Sequence, residues 1–204
     1  MTSIALIGAT GNIGSRILDE ALSRGHRVTG TTRDAAKLPA RANLAPKVVN
    51  TADVDALAAV LKNHDVVVAS IKWNEADIHQ VLDAIRRSGV KRALFVIGAG
   101  SLIRSDGRTH FEHMAEKGIQ PPTSKPAALA YEAIRAAQDL DWTAISPPAS
   151  IQPGQRTGRF RLGLDHLLED DKGVSQISRE DFAIAIVEEI EAPRHVKRRF
   201  TAAY

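Results

Sequence analysis

The chain has no cysteine, which excludes disulfides, thiolate nucleophiles and thiolate metal sites. That absence fits a reducing compartment, and the cytoplasm is the expected location. No long hydrophobic run is present either. "MTSIALIGATG" has no basic leader, and its apolar run meets glycine after a few residues, too soon for a signal or membrane segment. Net charge is small, +3, and spread along the chain. Its densest basic run, "HVKRRF" (195–200), reads as a solvated edge strand, so neither nucleic acid nor membrane is an expected partner. No Gly-x-Ser-x-Gly elbow supports a hydrolase. No Pro/Gly/Ser-rich linker splits the 204 residues, which predicts one domain over 1–204.

What is present is repetition. The β-branched runs "SIALIGA", "RVTGTT", "KVVN", "DVVVASI", "RALFVIG" and "WTAISP" alternate with amphipathic stretches at helical spacing. The pattern predicts an α/β fold, a doubly wound parallel sheet with helices on both faces. Val66 to Val68 are apolar without alternation, as a strand covered on both faces requires. Two segments break the rhythm, about 100–126 and 148–175, and read as substrate-side loops. The chain closes with a helix, "REDFAIAIVEEIE", and a strand, "RRFTAA"; Ser178 and Asp181 predict a capping box at that helix.

"GATGNIG" puts Gly8, Gly11 and Gly14 between the first strand and first helix, with a first interval one residue wider than the common dinucleotide fingerprint. Gly8 suits a tight turn, Gly11 lets backbone approach a pyrophosphate, and Gly14 lets helix pack on strand. Thr10, Asn12 and Ile13 complete the loop, Asn12 being also a candidate helix N-cap. About 20 residues on, an acid would bind a ribose 2′-OH and an arginine a 2′-phosphate. "TTRD" offers both. Arg33 comes first and Asp34 can cap the following turn, so NADP(H) is expected over NAD(H), with a solvated arginine as the alternative.

Taken together, "IALIGATGNIGSRILDEALSRGHRVTGTTRD", "GVKRALFVIGAGSL", "DLDWTAISPPASIQPGQRTGRFRLG" and "ISREDFAIAIVEEIE" resemble the atypical short-chain dehydrogenase/reductases known as NADH-flavin reductases. That group lies beside the biliverdin reductase B and NmrA-like proteins. The resemblance implies a Rossmann-type fold with a small C-terminal substrate lobe, NAD(P)H as cofactor, and FMN, FAD or a similar planar molecule as substrate. It implies that Asp53 and Val54 lie near the adenine, and Ala69, Ser70 and Ile71 along the ribose. Gly98, Ala99, Gly100 and Ser101, with Pro147, Pro148 and Ala149, would flank the nicotinamide. Asp53 serves equally as a helix cap.

The chain departs from that group twice. Counting back from Pro147, the places of the Tyr-x-x-x-Lys pair of many active relatives hold Ser124 and Ala128, not Tyr131 and Arg135, and a histidine of the biliverdin reductase B relatives is replaced by Ala149. Carbonyl reduction without its acid would lose about 100- to 10,000-fold. Hydride transfer to an electron-poor ring tolerates that loss, since water can protonate the delocalised product. Substrate contacts are then orienting groups. Ser101 is the catalytic candidate, or caps its loop; Trp73 stacks on a flat ring, or anchors a loop; Arg156 meets an anionic tail, or pairs within its turn. Trp142 reads as core. His110 and His113 lack a third ligand, so no metal is expected. The expected function is an NAD(P)H-dependent reductase of flavin or a similar acceptor, monomeric or homodimeric. The alternatives are a non-catalytic NAD(P)-binding redox sensor and a reductase or isomerase of another metabolite.

Overall fold

The computed structural model describes residues 1–204. Its centre is an eight-stranded sheet, built from β1 (Ser3–Ile7), β2 (Arg27–Thr32), β3 (Leu44–Val48), β4 (Val66–Ala69), β5 (Arg92–Val96), β6 (Asp141–Ser146), β8 (Arg161–Gly163) and β10 (Arg198–Ala203). The spatial order is β3-β2-β1-β4-β5-β6-β10-β8. All pairings are parallel except β10 with β8. The first six strands follow the 3-2-1-4-5-6 order of the Rossmann fold, whose direction of winding reverses between β1 and β4. Ile4 pairs with Val28 on one side and Val66 on the other. A second, two-stranded parallel sheet joins β7 (Ser150–Gln152) and β9 (Gln176–Ser178).

Both faces of the main sheet are buried, which explains the unalternating strands. Ala5 and Ile7 of β1 belong to a core cluster of 26 residues, packed under α2 (Val54–Leu61), α3 (Ile78–Ser88) and α5 (Ser124–Ala136). Ile4 and Leu6 belong to a cluster of 23, under α1 (Gly14–Ser23) and α6 (Arg179–Glu191). Val67 and Ala69 face the first cluster, Val66 and Val68 the second. Each buried Val, Leu or Ile among them stabilises the fold by about 1.5–3 kcal/mol, so neither layer can be lost alone.

Three expectations need correction. The basic run at 195–200 does not end in a solvated edge strand. β10 lies between β6 and β8, and Arg199 is buried, its guanidinium paired with Asp165 at 2.7 Å. The reciprocal half of a capping box is also missing at α6, where Ser178 N–H donates to Tyr204 Oη instead of to Asp181. Ser178 Oγ accepts from Asp181 N–H, but the Asp181 carboxylate accepts from the N–H groups of Thr157 and Gly158 and from Tyr204 Oη. Burial opposes its charge, yet those donors prevail and hold the carboxyl below its usual range. Asp181 therefore pins the 157–158 loop to α6. Third, the segment 100–126 is not irregular throughout: α4 (His110–Glu116) interrupts it, closed by a capping box between Thr109 and Glu112.

Candidate functional site

A cleft of about 810 Å³ opens along the carboxyl ends of β1, β2, β4, β5 and β6, where an open parallel sheet places its ligand. Its volume falls within the ~300–1,000 Å³ usual for small-molecule sites.

Gly8, Thr10, Gly11, Asn12 and Ile13 of the glycine loop line it. Gly8 has φ +86°, and a Cβ there would lie 2.3 Å from Ser70 O, so only glycine fits. A Cβ on Gly14 would lie 2.0 Å from Gly8 O, which is the close strand–helix approach expected of it. Gly11 is different: a Cβ there would sit 3.3 Å from Gly8 O, tight but tolerable for the fold. Asn12 does not cap α1. Ile13 holds the cap position, with no side-chain bond. Consequently the N–H groups of Thr10, Asn12, Ile13 and Gly14 donate to no protein acceptor. Free donors at a positive helix end suit an anion such as a pyrophosphate.

At the β2 end stand Thr32, Arg33 and Lys37. The Arg33 side chain is 79% exposed and donates to Glu75 at 3.3 Å. Asp34 points away from this duty: its carboxylate accepts from Ala36 N–H at 3.0 Å and caps the 3-10 turn Ala35–Lys37. The wall is completed by Ser70 and Ile71, by Gly98, Ala99 and Gly100, and by Pro147, Pro148 and Ala149.

Several expected residues are not brought to the cleft. The Asp53 carboxylate accepts from Ala56 N–H at 3.0 Å and caps α2; the cleft at that height is lined instead by Val49, Asn50 and Thr51. Val54 packs against the core, and Ala69 is wholly buried within it. Ser101 Oγ accepts from Arg199 Nη1 at 2.8 Å, tied into the ion pair behind the sheet. Arg156 makes two 2.8 Å bonds to Glu20 on α1, outside the cleft. Hydrogen bonding by Arg156, against an opposing burial effect and with help from Arg24, keeps the Glu20 carboxyl below its usual range. Trp73 reaches the cleft margin, but the residue is buried and its Nε1 donates to Val96 O at 2.9 Å, so it is an anchor. Tyr131 is buried too, with the Arg199 guanidinium 4.6 Å above its ring and that of Arg135 at 5.6 Å.

The far end of the cleft contains residues that periodicity did not single out. His110, Phe111 and Met114 of α4 face Pro121, Thr123, Ser124 and Ala127, with Ile151 and Arg179 on the remaining side. Ser124, at the first turn of α5, is part of this lining. A Cβ on Gly100 would lie 3.5 Å from the Cβ of Ser124 and equally far from that of Phe111, so α4, α5 and the end of β5 converge at that glycine. A capping signal, Thr-x-x-Glu at 109–112, marks α4 in the sequence, but nothing local reveals that it faces α5.

Residues 8–193 match the model of a family described as NAD(P)H-binding. A Burkholderia pseudomallei structure described as an exported protein is 40% identical, with full coverage of both chains and a TM-score of 0.87. A candidate epimerase of Bacteroides thetaiotaomicron is 36% identical, covering 100% of this chain and 97% of its own, at a TM-score of 0.91. A candidate NADH-flavin reductase of Streptococcus pneumoniae is 27% identical, covering 100% and 99%, at 0.79. No helix is long and apolar enough to cross a membrane. With the Rossmann strand order, the glycine loop and its free donors in place, the chain belongs to the NAD(P)H-binding family.

Proposed function

We propose that this protein is an NAD(P)H-dependent reductase of flavin or a comparable planar acceptor. The observation that carries the reading is one continuous cleft with different chemistry at its two ends: unpartnered backbone donors at one, and at the other Phe111, Met114, Pro121 and Ala127 with the polar His110, Thr123, Ser124 and Arg179, and no tyrosine–lysine pair. Thr10, Asn12, Ile13 and Gly14 hold the pyrophosphate through their N–H groups. Arg33 and Lys37 give the 2′-phosphate its countercharge, which favours NADP(H) over NAD(H). When bound, the reduced nicotinamide supplies the hydride. Pro147, Pro148 and Gly98 shape the slot beside β5 and β6 so that two flat rings stack within reach, and the apolar part of the lining excludes water from the contact.

The absence of an acid at Ser124 and Ala128 favours an acceptor whose reduced anion spreads over a conjugated ring and takes its proton from solvent. The test is oxidation of NADPH with and without FMN, followed at the nicotinamide absorbance. Rapid FMN-dependent oxidation is expected. Tight NADPH binding without turnover on FMN, riboflavin or quinones would favour the redox-sensor alternative.

A further inference from the structure

The acceptor end of the cleft holds one ring nitrogen whose surroundings decide its protonation. His110 begins α4, and its place is set by two backbone bonds to the segment after β5: His110 N–H donates to Leu102 O and Phe111 N–H to Gly100 O, both at 2.8 Å. The imidazole lines the cleft. Its Nδ1 is sealed from solvent and has no hydrogen-bond partner. Nδ1 stays unpaired whether or not it carries a proton, but the doubly protonated ring would bury a charge as well, so the ring carries one proton. On Nε2, the nitrogen that is not sealed, that proton can reach a ligand.

The surrounding charges act in the same direction. Burial first, then the neighbouring Arg104, His113 and Lys117, outweigh the attraction of Glu169 and push the imidazole below its ordinary titration range. At neutral pH His110 is uncharged. Its Nε2–H finds no acceptor in the protein, in a wall otherwise formed by Phe111, Met114 and Pro121 and by the Ser124 hydroxyl.

We propose that His110 is the hydrogen-bond donor that orients the acceptor ring and stabilises its carbonyl oxygen or ring nitrogen as negative charge develops there. This rests on the reductase reading and sharpens it: the acceptor is a conjugated ring bearing a hydrogen-bond acceptor at its edge, as in an isoalloxazine or a quinone. In the reaction one hydride, carrying two electrons, leaves the reduced nicotinamide for the acceptor, and solvent supplies one proton to the resulting anion. His110 ends as it began, its Nε2 proton unmoved. A neutral donor suits this role better than an imidazolium, because it stabilises developing charge without an ionised group having to be buried beside the apolar side chains.

The test compares His110→Ala, His110→Gln and the wild type, measuring NADPH affinity by nicotinamide fluorescence and kcat and KM with FMN. The expected result is unchanged NADPH affinity in both variants, a fall of about tenfold or more in kcat for the alanine variant, and recovery of most of that loss by glutamine, whose amide N–H restores a donor. A His110→Ala variant with wild-type kcat overturns the inference while the reductase reading stands. So does an equal loss in both variants, since a packing role gains nothing from a restored donor. A wild type that binds NADPH but reduces neither FMN nor a quinone overturns the reductase reading, and the inference with it.

Discussion

The two ends of the cleft are built from different materials. At the β1–α1 end the ligand meets backbone: three glycines set the path and four N–H groups are left free. At the α4–α5 end it meets side chains, delivered by α4, α5 and the end of β5, which converge at Gly100. A backbone site tolerates little change of shape and binds the one feature every dinucleotide shares. A side-chain site can be altered residue by residue, and it determines which acceptor reacts. Recognition of cofactor and of acceptor are thereby separable.

The separation can be broken hardest at Gly14. Gly14→Val drives a Cβ into Gly8 O, 2.0 Å away, and should destabilise the fold by on the order of 3 kcal/mol or more, seen as a large drop in thermal midpoint. Gly11→Val is the informative contrast. With 3.3 Å of clearance the fold should survive, while the side chain occupies the phosphate position and abolishes NADPH binding; unchanged affinity would refute the phosphate-loop assignment. Smaller again is Arg33→Ala, expected to weaken NADPH about tenfold, or ~1.4 kcal/mol, with NADH affinity unaltered. An equal loss for both nucleotides would remove the 2′-phosphate role. Arg156→Ala should leave turnover intact and cost about 1 kcal/mol of stability, because Glu20 keeps Arg24 as a partner.

The smallest effect is an acid limb. Hydrogen bonding by Arg86 holds the Asp139 carboxyl down at about 2, against an ordinary 3.8. A lowered folded-state pKa contributes stability that is present above the unfolded value and is lost as pH falls through the folded one. The contribution should therefore fade between about pH 4 and pH 2, and Arg86→Ala should flatten the stability profile there.

Much of this architecture was legible in the residues. "REDFAIAIVEEIE" and "RRFTAA" appear as α6 and β10 with the expected ends, each a mostly buried run bounded by local signals such as the Ser178 cap. β3 begins at Leu44, before the "KVVN" run expected, since Pro46 obscures a strand at the sheet edge where its missing N–H is harmless. The glycine loop was readable because its chemistry is local. Roles assigned by side-chain type fared differently: Arg156, Ser101 and Asp53 are spent on partners 136, 98 and three residues away, which spacing cannot reveal. His110 was visible only as half of a rejected metal pair, for its significance lies in one sealed nitrogen and one open one.

The central claim is that the cleft passes a hydride directly from a bound nicotinamide to a planar acceptor. A single-turnover experiment with FMN, using NADPH deuterated at the transferable position of nicotinamide C4, tests it most directly. The account predicts slower loss of the oxidised-flavin absorbance with the deuterated cofactor, in step with nicotinamide oxidation. Flavin that stays oxidised beside saturating, bound NADPH would contradict it.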